Sequence, residues 1–216
     1  MRIGILGGTF NPIHNAHLRI AEEVRDRLDL ERVMFVPTAS PPHKLLAGEL
    51  SFQVRYEMVR LAIVDNPFFT ASDIEGKRGG TSYSIHTLQE LHRTFPDDEF
   101  FFIIGSDSFL DIGSWREYAE IFSLCNLVVV ARPGATADPL HKSVPAAIAD
   151  QFSYRDAEQC LVHCSGHTVY SIAGTLLEIS SSEIRLLTRQ GRSIKYLLPA
   201  AVEHYIKEQR IYHNDR

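Results

Sequence analysis

The chain has 216 residues, 44% of them hydrophobic, and a formal net charge of -5 from 22 basic and 27 acidic side chains. That length and apolar fraction suit one domain, 1–216, with a sizeable core, and the acidic balance argues against a general binder of nucleic-acid backbones. Three cysteines make no disulfide framework, and neither a signal-peptide layout nor an apolar run of membrane-spanning length is present, so the expectation is a cytoplasmic protein with no membrane and no nucleic-acid partner.

The chain opens on a short apolar run around Ile3 and Ile5 that reads as a buried parallel strand. Gly7 and Gly8 follow, residues that let a backbone turn tightly and approach a ligand with no Cβ in the way. From Asn15 the period becomes helical, with Leu18, Ile20, Ala21, Val24 and Leu28 on one side and an end near Asp29. Strand, glycine turn and helix N-terminus together offer unpaired amides and a dipole suited to an anion. His14 stands just before the helix and His17 in its first turn. One such histidine is explained by structure alone; two beside a glycine turn favour a phosphate site, because imidazoles can donate to phosphate oxygens. No Gly-Lys-Ser/Thr follows Gly8, which excludes a Walker loop, and Gly4, Gly7 and Gly8 lack the spacing of a dinucleotide fingerprint.

A second strand is expected over Arg32–Val36, followed by a loop whose three prolines, Pro37, Pro41 and Pro42, exclude a regular helix or central strand. This loop would emerge at the same sheet edge as Gly7 and could bring His43 and Lys44 to the phosphate site; a solvated loop lysine is the other reading. Ser51 can cap a helix running to about Val64, with Phe52, Tyr56, Val59 and Ile63 as its apolar stripe and Asn66-Pro67 as its stop. Phe68–Ala71 reads as a strand. Lys77–Ser82 reads as a turn before a helix from Tyr83 to about Phe95, with Thr81 or Ser82 as its cap.

Phe100–Ile104 is a buried strand ending in Gly105-Ser106-Asp107, where a doubly wound sheet presents its ligand loops. Gly105 would permit close approach to a nucleotide. Asp107 either accepts from a ribose hydroxyl or caps the following turn, and Trp115 is either a core side chain or a ligand platform. Leu127–Ala131 is the next strand, 135–152 holds at most a short helix around Ala146–Gln151, and short strands near Leu161–His163, Thr168–Ser171 and Leu176–Ile179 extend the sheet. Cys160 and Cys164 lie near His163 and His167, but the region reads as strand and turn, and no second cysteine pair supports a metal site. Ser180 and Glu183 have capping-box spacing, and Arg185, at the same helix start, can face an anionic ligand. Gly191 ends that helix and Pro199 opens a last amphipathic one. The fold class expected is α/β, a Rossmann-like doubly wound parallel sheet with a small C-terminal helical portion.

The run from Gly7 to His17 resembles the signature of the nucleotidyltransferase superfamily, Gly-Gly-x-Phe-(Asp/Asn)-Pro-x-His-x-Gly-His, with Ala16 where the family has glycine. One methyl in a helix's first turn is expected to need a small adjustment only. Ile179–Arg185 resembles the second signature, Ile-Ser-(Ser/Thr)-(Ser/Thr)-x-Ile-Arg. Pro41-Pro42-His43-Lys44, Gly80-Thr81-Ser82-Tyr83-Ser84 and the stretch from Ile104 to Trp115 are similar to segments of the bacterial nicotinate-nucleotide adenylyltransferases, a likeness that covers essentially the whole chain.

The resemblance implies adenylyl transfer from ATP to nicotinate mononucleotide, giving nicotinate adenine dinucleotide and pyrophosphate. It implies His14, His17, Lys44 and Arg185 as catalytic donors. Gly7, Gly8, Thr9, Phe10, Gly105, Asp107, Ser180, Ser181 and Ile184 would contact ATP, and Thr81, Ser82, Tyr83 and Trp115 the acceptor. Mg²⁺ would be bound mainly through the ATP phosphates, because the sequence has no clustered carboxylates to build a protein cage. The competing readings are a transferase for nicotinamide mononucleotide or another phosphorylated acceptor, and a noncatalytic nucleotide sensor. A homodimer is compatible with the sequence, which does not decide the oligomeric state.

Overall fold

Side-chain alternation along the strands divides the core into two layers, one on each face of a single sheet. The computed structural model describes residues 1–41, 50–131, 143–155, 160–175 and 177–213, so the His43 and Lys44 assignments lie outside the described residues. In chain order the sheet-forming half runs β1 (Arg2–Gly8), α1 (Asn15–Arg27), β2 (Arg32–Pro37), α2 (Phe52–Ala62), β3 (Phe69–Ala71), α3 (Ile74–Arg78), α4 (Ser84–Thr94) and β4 (Glu99–Gly105). It continues through α5 (Ser106–Leu110), a 3₁₀ turn (Ile112–Ser114), α6 (Tyr118–Leu124), β5 (Asn126–Ala131) and a second 3₁₀ turn (Ala146–Gln151). The last elements are β6 (Phe152–Arg155), β7 (Cys160–His163), β8 (Thr168–Ala173), α7 (Ser181–Arg189) and α8 (Ala200–Glu208).

The eight strands stand in the order β3-β2-β1-β4-β5-β8-β7-β6. On one face Ile3, Ile5, Phe100, Phe102, Leu127 and Val129 pack with Ile85 and Leu88 of α4. On the other, Leu6, Phe101, Ile103, Val128 and Val130 meet Ala21 and Val24 of α1, Met58 and Val59 of α2, Ile184 of α7 and Val202 of α8. Strand period two places neighbouring residues on opposite faces, so both faces are covered and both residue sets must be apolar. Each fully buried large apolar side chain contributes roughly 1.5–3 kcal/mol over its exposed state. Surface pairs such as Arg60–Glu57, 58% and 36% exposed, contribute about 0–1 kcal/mol. The two cores hold the fold.

Several expectations change. The sheet is parallel from β3 to β8, but β7 and β6 add to it antiparallel. The physical reason is the connection Cys164–His167, a turn with Gly166 at φ 96, far shorter than the dozen or more residues of a parallel crossover. The expected strand Leu176–Ile179 does not form over its described residues Leu177–Ile179, which line the cleft instead. Strand β6 was not anticipated. Part of the expected Lys77–Ser82 turn is helix α3. Gly7 and Gly8 are not a turn at all: both belong to β1, where they pair with Val36 and Pro37.

Candidate active site

Chain order leaves the β1–β4 pair in opposite directions, through β2 and β3 on one side and β5 and β8 on the other. Loops at the carboxyl ends of β1 and β4 therefore diverge and open a crevice, the usual ligand position in such sheets. A cleft of about 950 Å³ lies there, lined by Gly7, Gly8, Thr9, His14 and His17 from the first unit and by Gly105, Ser108 and Trp115 from the β4 side.

The first wall is built from the end of β1. Gly7 is exposed to the cleft, and a Cβ there would meet only Phe102, at 3.8 Å. A Cβ on Gly8 would come within 3.1 Å of the Phe10 ring. The chain turns at Phe10 itself, which is held at φ 48, a left-handed conformation that costs a non-glycine residue about 1–3 kcal/mol and concentrates at functional sites. Its ring is 2% exposed and lies edge-on to His17, with centroids 5.1 Å apart and an 80° interplanar angle. Phe10 is thus the support beneath His17 rather than part of the cleft wall.

His14 and His17 stack with ring centroids 3.7 Å apart and a 26° interplanar angle. His17 Nδ1 accepts the backbone N–H of His14 at 3.2 Å. The neutral His17 ring must then carry its proton on Nε2. Burial pushes the His14 ring down to about 4, and burial together with the neighbouring His14 holds His17 well below the usual histidine range. Both rings are neutral donors at pH 7. The Nδ1 of His14 is buried without a hydrogen-bond partner among the described residues. Helix α1 carries no acidic residue in its first turn, which leaves its N-terminal field open to an anion.

The C-terminal segment fastens this loop. Arg185 Nη1 donates to the Asn11 carbonyl at 2.7 Å, Ser181 Oγ to the Pro12 carbonyl at 2.8 Å, and Tyr212 to the Asn11 side chain at 2.5 Å. Asn15 is held from the same side, its amide on Leu197 O at 3.0 Å and its Nδ2 on Tyr196 O at 2.7 Å. Ser180 is the cap of α7, accepting from Glu183 N at 3.2 Å, and Ser180 and Ser181 both line the cleft. Ile184 is 0% exposed and belongs to the core. Arg185 is half-buried and is tied to the first signature through the Asn11 carbonyl.

On the opposite wall Ser82, expected as a helix cap or an acceptor contact, lines the cleft but is not the cap. Tyr83 is the cap residue of α4, while Ser82 Oγ accepts from Ala39 N at 3.2 Å and from Ser40 N at 3.1 Å. Its own amide donates to Ser40 O at 2.8 Å. Glu75 reinforces the grip, its Oε2 accepting from Ala39 N at 3.2 Å and its Oε1 from Thr87 Oγ1 at 2.7 Å. Trp115 lines the cleft half-buried and packs edge-on to Phe102, centroids 6.2 Å apart, so it has a foot in the core and a face in the cleft. Thr81, Tyr83 and Asp107 neighbour the lining residues Ser82, Ser84 and Ser108 in the chain without lining the cleft themselves. Tyr83 instead lies beneath Arg116, whose Cζ is 5.0 Å from the ring centroid. Asp107 is inside α5, whose cap is Gly105, and its carbonyl accepts from Asp111 N.

Three further residues shape the cleft, and the sequence reading passed over them. Arg55 is 1% exposed and binds the Thr9 carbonyl. Its signal was its spacing, three and four residues before the buried Met58 and Val59. Glu75 falls between the strand expected to end at Ala71 and the turn expected from Lys77, where no periodicity marks it. Glu23, 6% exposed, accepts from Arg19 at 2.7 Å and from both the amide and hydroxyl of Thr175. It ties α1 to Gly174 and Thr175, which line the cleft.

Sheet order, crevice and the two fastened signatures define a nucleotidyltransferase, and the chain belongs to the cytidylyltransferase-like family, whose model matches residues 5–187. Over 216 residues, the whole of both chains, it is 84% identical to the "Probable nicotinate-nucleotide adenylyltransferase" of Geotalea daltonii. It is 61% identical over 215 residues, again 100% of both chains, to the protein of the same name from Geobacter sulfurreducens. Within the broader family the chain is thus a member of the nicotinate-nucleotide adenylyltransferases. The same fold occurs in the Plasmodium falciparum nicotinic acid mononucleotide adenylyltransferase complexed with NaAD, with a TM-score of 0.73, 20% identity, and coverage of 98% of this chain and 97% of that one.

Proposed function

We propose that this chain transfers the adenylyl group of ATP to nicotinate mononucleotide, forming nicotinate adenine dinucleotide and pyrophosphate. The names of the full-length relatives support this reaction. The observation that carries it is the stacked His14–His17 pair at an α-helix N-terminus, on one cleft with the open glycine end of β1 and with Trp115.

The reaction asks little covalent help of the protein. An oxygen of the acceptor phosphate, already anionic, attacks the α-phosphorus of ATP in line. The bond from that phosphorus to the β-bridging oxygen breaks, and pyrophosphate leaves with the electron pair. No proton need be removed from the nucleophile, so positioning and charge stabilisation supply the rate. His17, with its proton on Nε2, and His14 act as donors to the transferring and departing phosphates; a single preorganised donor of this kind is worth about 10²–10³ in kcat. Lys44 and Arg185 are assigned the compensating positive charge, and Ser180, Ser181 and Gly105 the nucleotide wall.

The acceptor ring is assigned to Trp115, with backbone amides of the Thr81–Ser84 turn reading its carboxylate. The Ser82 amide is committed to Ser40 O, so Thr81, Tyr83 and Ser84 supply the candidates. Among the described residues no three His, Cys, Asp or Glu side chains gather to hold a cation. Mg²⁺, when bound, would be held mainly by ATP phosphate oxygens and water and would neutralise charge on the leaving group.

Pyrophosphate release from ATP and Mg²⁺, run separately with nicotinate and nicotinamide mononucleotide and checked by product mass, tests the proposal. Preference for the acidic acceptor is expected. Preference for the amide would keep the transfer mechanism and overturn the acceptor, and turnover of neither would overturn both.

A further inference from the structure

Arg55 is among the largest fully buried side chains of the protein, on α2, outside both signatures. Its guanidinium reaches three separate stretches of backbone. Nη1 donates to Thr9 O at 2.7 Å, Nη2 to Ala39 O at 3.4 Å, and Nε to Leu50 O at 3.3 Å. Thr9 closes the first wall of the cleft and is followed directly by Phe10, the support of His17. Ala39 is the residue gripped from the other side by Glu75 and Ser82. Thr38, next to it, lines the cleft and donates to Gly8 O at 2.8 Å. Ala39 and Leu50 also stand at the two ends of the stretch that carries His43 and Lys44 in sequence.

For stability alone the position does not call for a charge. A guanidinium taken out of water carries a desolvation penalty that an apolar side chain of similar volume would avoid. What the apolar side chain lacks is a planar fork able to satisfy several carbonyls at fixed angles. Both loops leave the carboxyl edge of neighbouring strands, and among the described residues no sheet pairing fixes one relative to the other beyond Gly8 and Pro37.

We infer that Arg55 is a positioning residue for adenylyl transfer: it sets the loop after β1, which bears the histidines, in register with the stretch after β2. This rests on the function proposed above, with the phosphate site on the first loop. A misplacement of about 1 Å at a site reached only through such a brace lowers turnover by about 10²-fold. The loss should fall on kcat, because Arg55 meets backbone carbonyls of both loops rather than a substrate.

The test compares Arg55→Lys and Arg55→Ala with the unaltered chain, at a temperature where all are folded by circular dichroism. Lysine keeps the charge but offers a point ammonium that cannot span three carbonyls. For Arg55→Lys the expectation is a kcat lower by about 10²-fold with both Michaelis constants changed less than about threefold. In Arg55→Ala, added guanidinium ion at millimolar concentration is expected to recover part of the lost kcat. A kcat within about twofold of the unaltered chain in Arg55→Lys would overturn the inference. So would a loss that vanishes once rates are divided by the titrated fraction of folded protein, since a merely structural residue behaves that way. If the unaltered chain turns over neither pyridine mononucleotide, the functional proposal fails, and amide hydrogen exchange decides the brace: faster exchange at residues 9–11 and 38–40 together supports it, and unchanged exchange at both overturns it.

Discussion

His17 accepts the backbone N–H of His14 through Nδ1, at 3.2 Å, while the two imidazoles stack on one another. The helix cap and the proposed donor are therefore opposite nitrogens of one ring. This separates them experimentally. His17→Asn can keep an acceptor near the Nδ1 position but has nothing at Nε2, whereas His17→Gln places an amide donor near Nε2. His17→Asn should lose about 10²–10³ in kcat with little change in ATP binding, and His17→Gln should lose less. Steady-state kinetics beside equilibrium binding of a nonhydrolysable ATP analogue decide it; a kcat preserved in His17→Asn and lost only in His17→Gln would assign His17 to capping alone.

The depressed histidines make a stability prediction with a definite sign. His14 has an ordinary value of 6.5 and a folded value of about 4, so between these the unfolded chain binds the extra proton. Stability is full above about 6.5, falls as the pH drops through that window, and levels off below about 4. The loss from this one ring is on the order of 3 kcal/mol. Urea unfolding of His14→Asn at pH 7.5 and pH 5 should show a shallower dependence than the unaltered chain; an identical slope would remove His14 from the acid sensitivity. Bound phosphate acts the other way, raising the ring pKa by opposite charge. ATP binding near pH 6 should take up protons, read as a binding enthalpy that varies with the ionisation heat of the buffer.

Trp115 joins core and cleft, and its substitutions should part the two uses. Ring stacking is worth about 1–3 kcal/mol per base, so Trp115→Ala should raise the Michaelis constant for nicotinate mononucleotide by about tenfold or more, and Trp115→Phe by less. An unchanged acceptor constant with a lowered melting temperature would leave Trp115 as packing against Phe102 only.

Ser82→Ala removes the acceptor shared by the amides of Ala39 and Ser40. Ala39 N keeps Glu75 and Ser40 is exposed to water, so the cost in stability should be near the low end of about 1–3 kcal/mol. The stretch from Thr38 to Ser40 should nevertheless loosen. Hydrogen exchange is the readout: faster exchange confined to residues 38–40 is expected, and no local change would mean that Glu75, Arg55 and the backbone bonds hold them without the Ser82 hydroxyl.

What was legible in the sequence was whatever leaves a period or a fixed spacing. The alternation at Ile3 and Ile5 and the run Phe100–Ile104 gave β1 and β4, and helix periodicity from Asn15 gave α1 with its histidines at the N-terminus. The two signatures led to one cleft because both sit at the same sheet edge. Illegible were the long-range polar ties. Nothing local in Ser82 distinguishes a helix cap from an acceptor for amides more than forty positions earlier, and an arginine on an amphipathic helix reads as solvated until its burial is seen. Gly7 and Gly8 misled in a simpler way. They read as a turn, but their use is to leave room: the turn falls on Phe10, and the bare strand end leaves the cleft open.

The loop from Asn11 to Asn15, made among the first residues of the chain, is fastened by Ser181, Arg185, Leu197 and Tyr212, made among the last. During synthesis the opening strand and helix can collapse long before these partners leave the ribosome, and until then the histidine loop has only the early brace of Arg55 on Thr9. Trimming that removes Tyr212 takes away the tie on the Asn11 side chain while leaving every strand of the sheet in place.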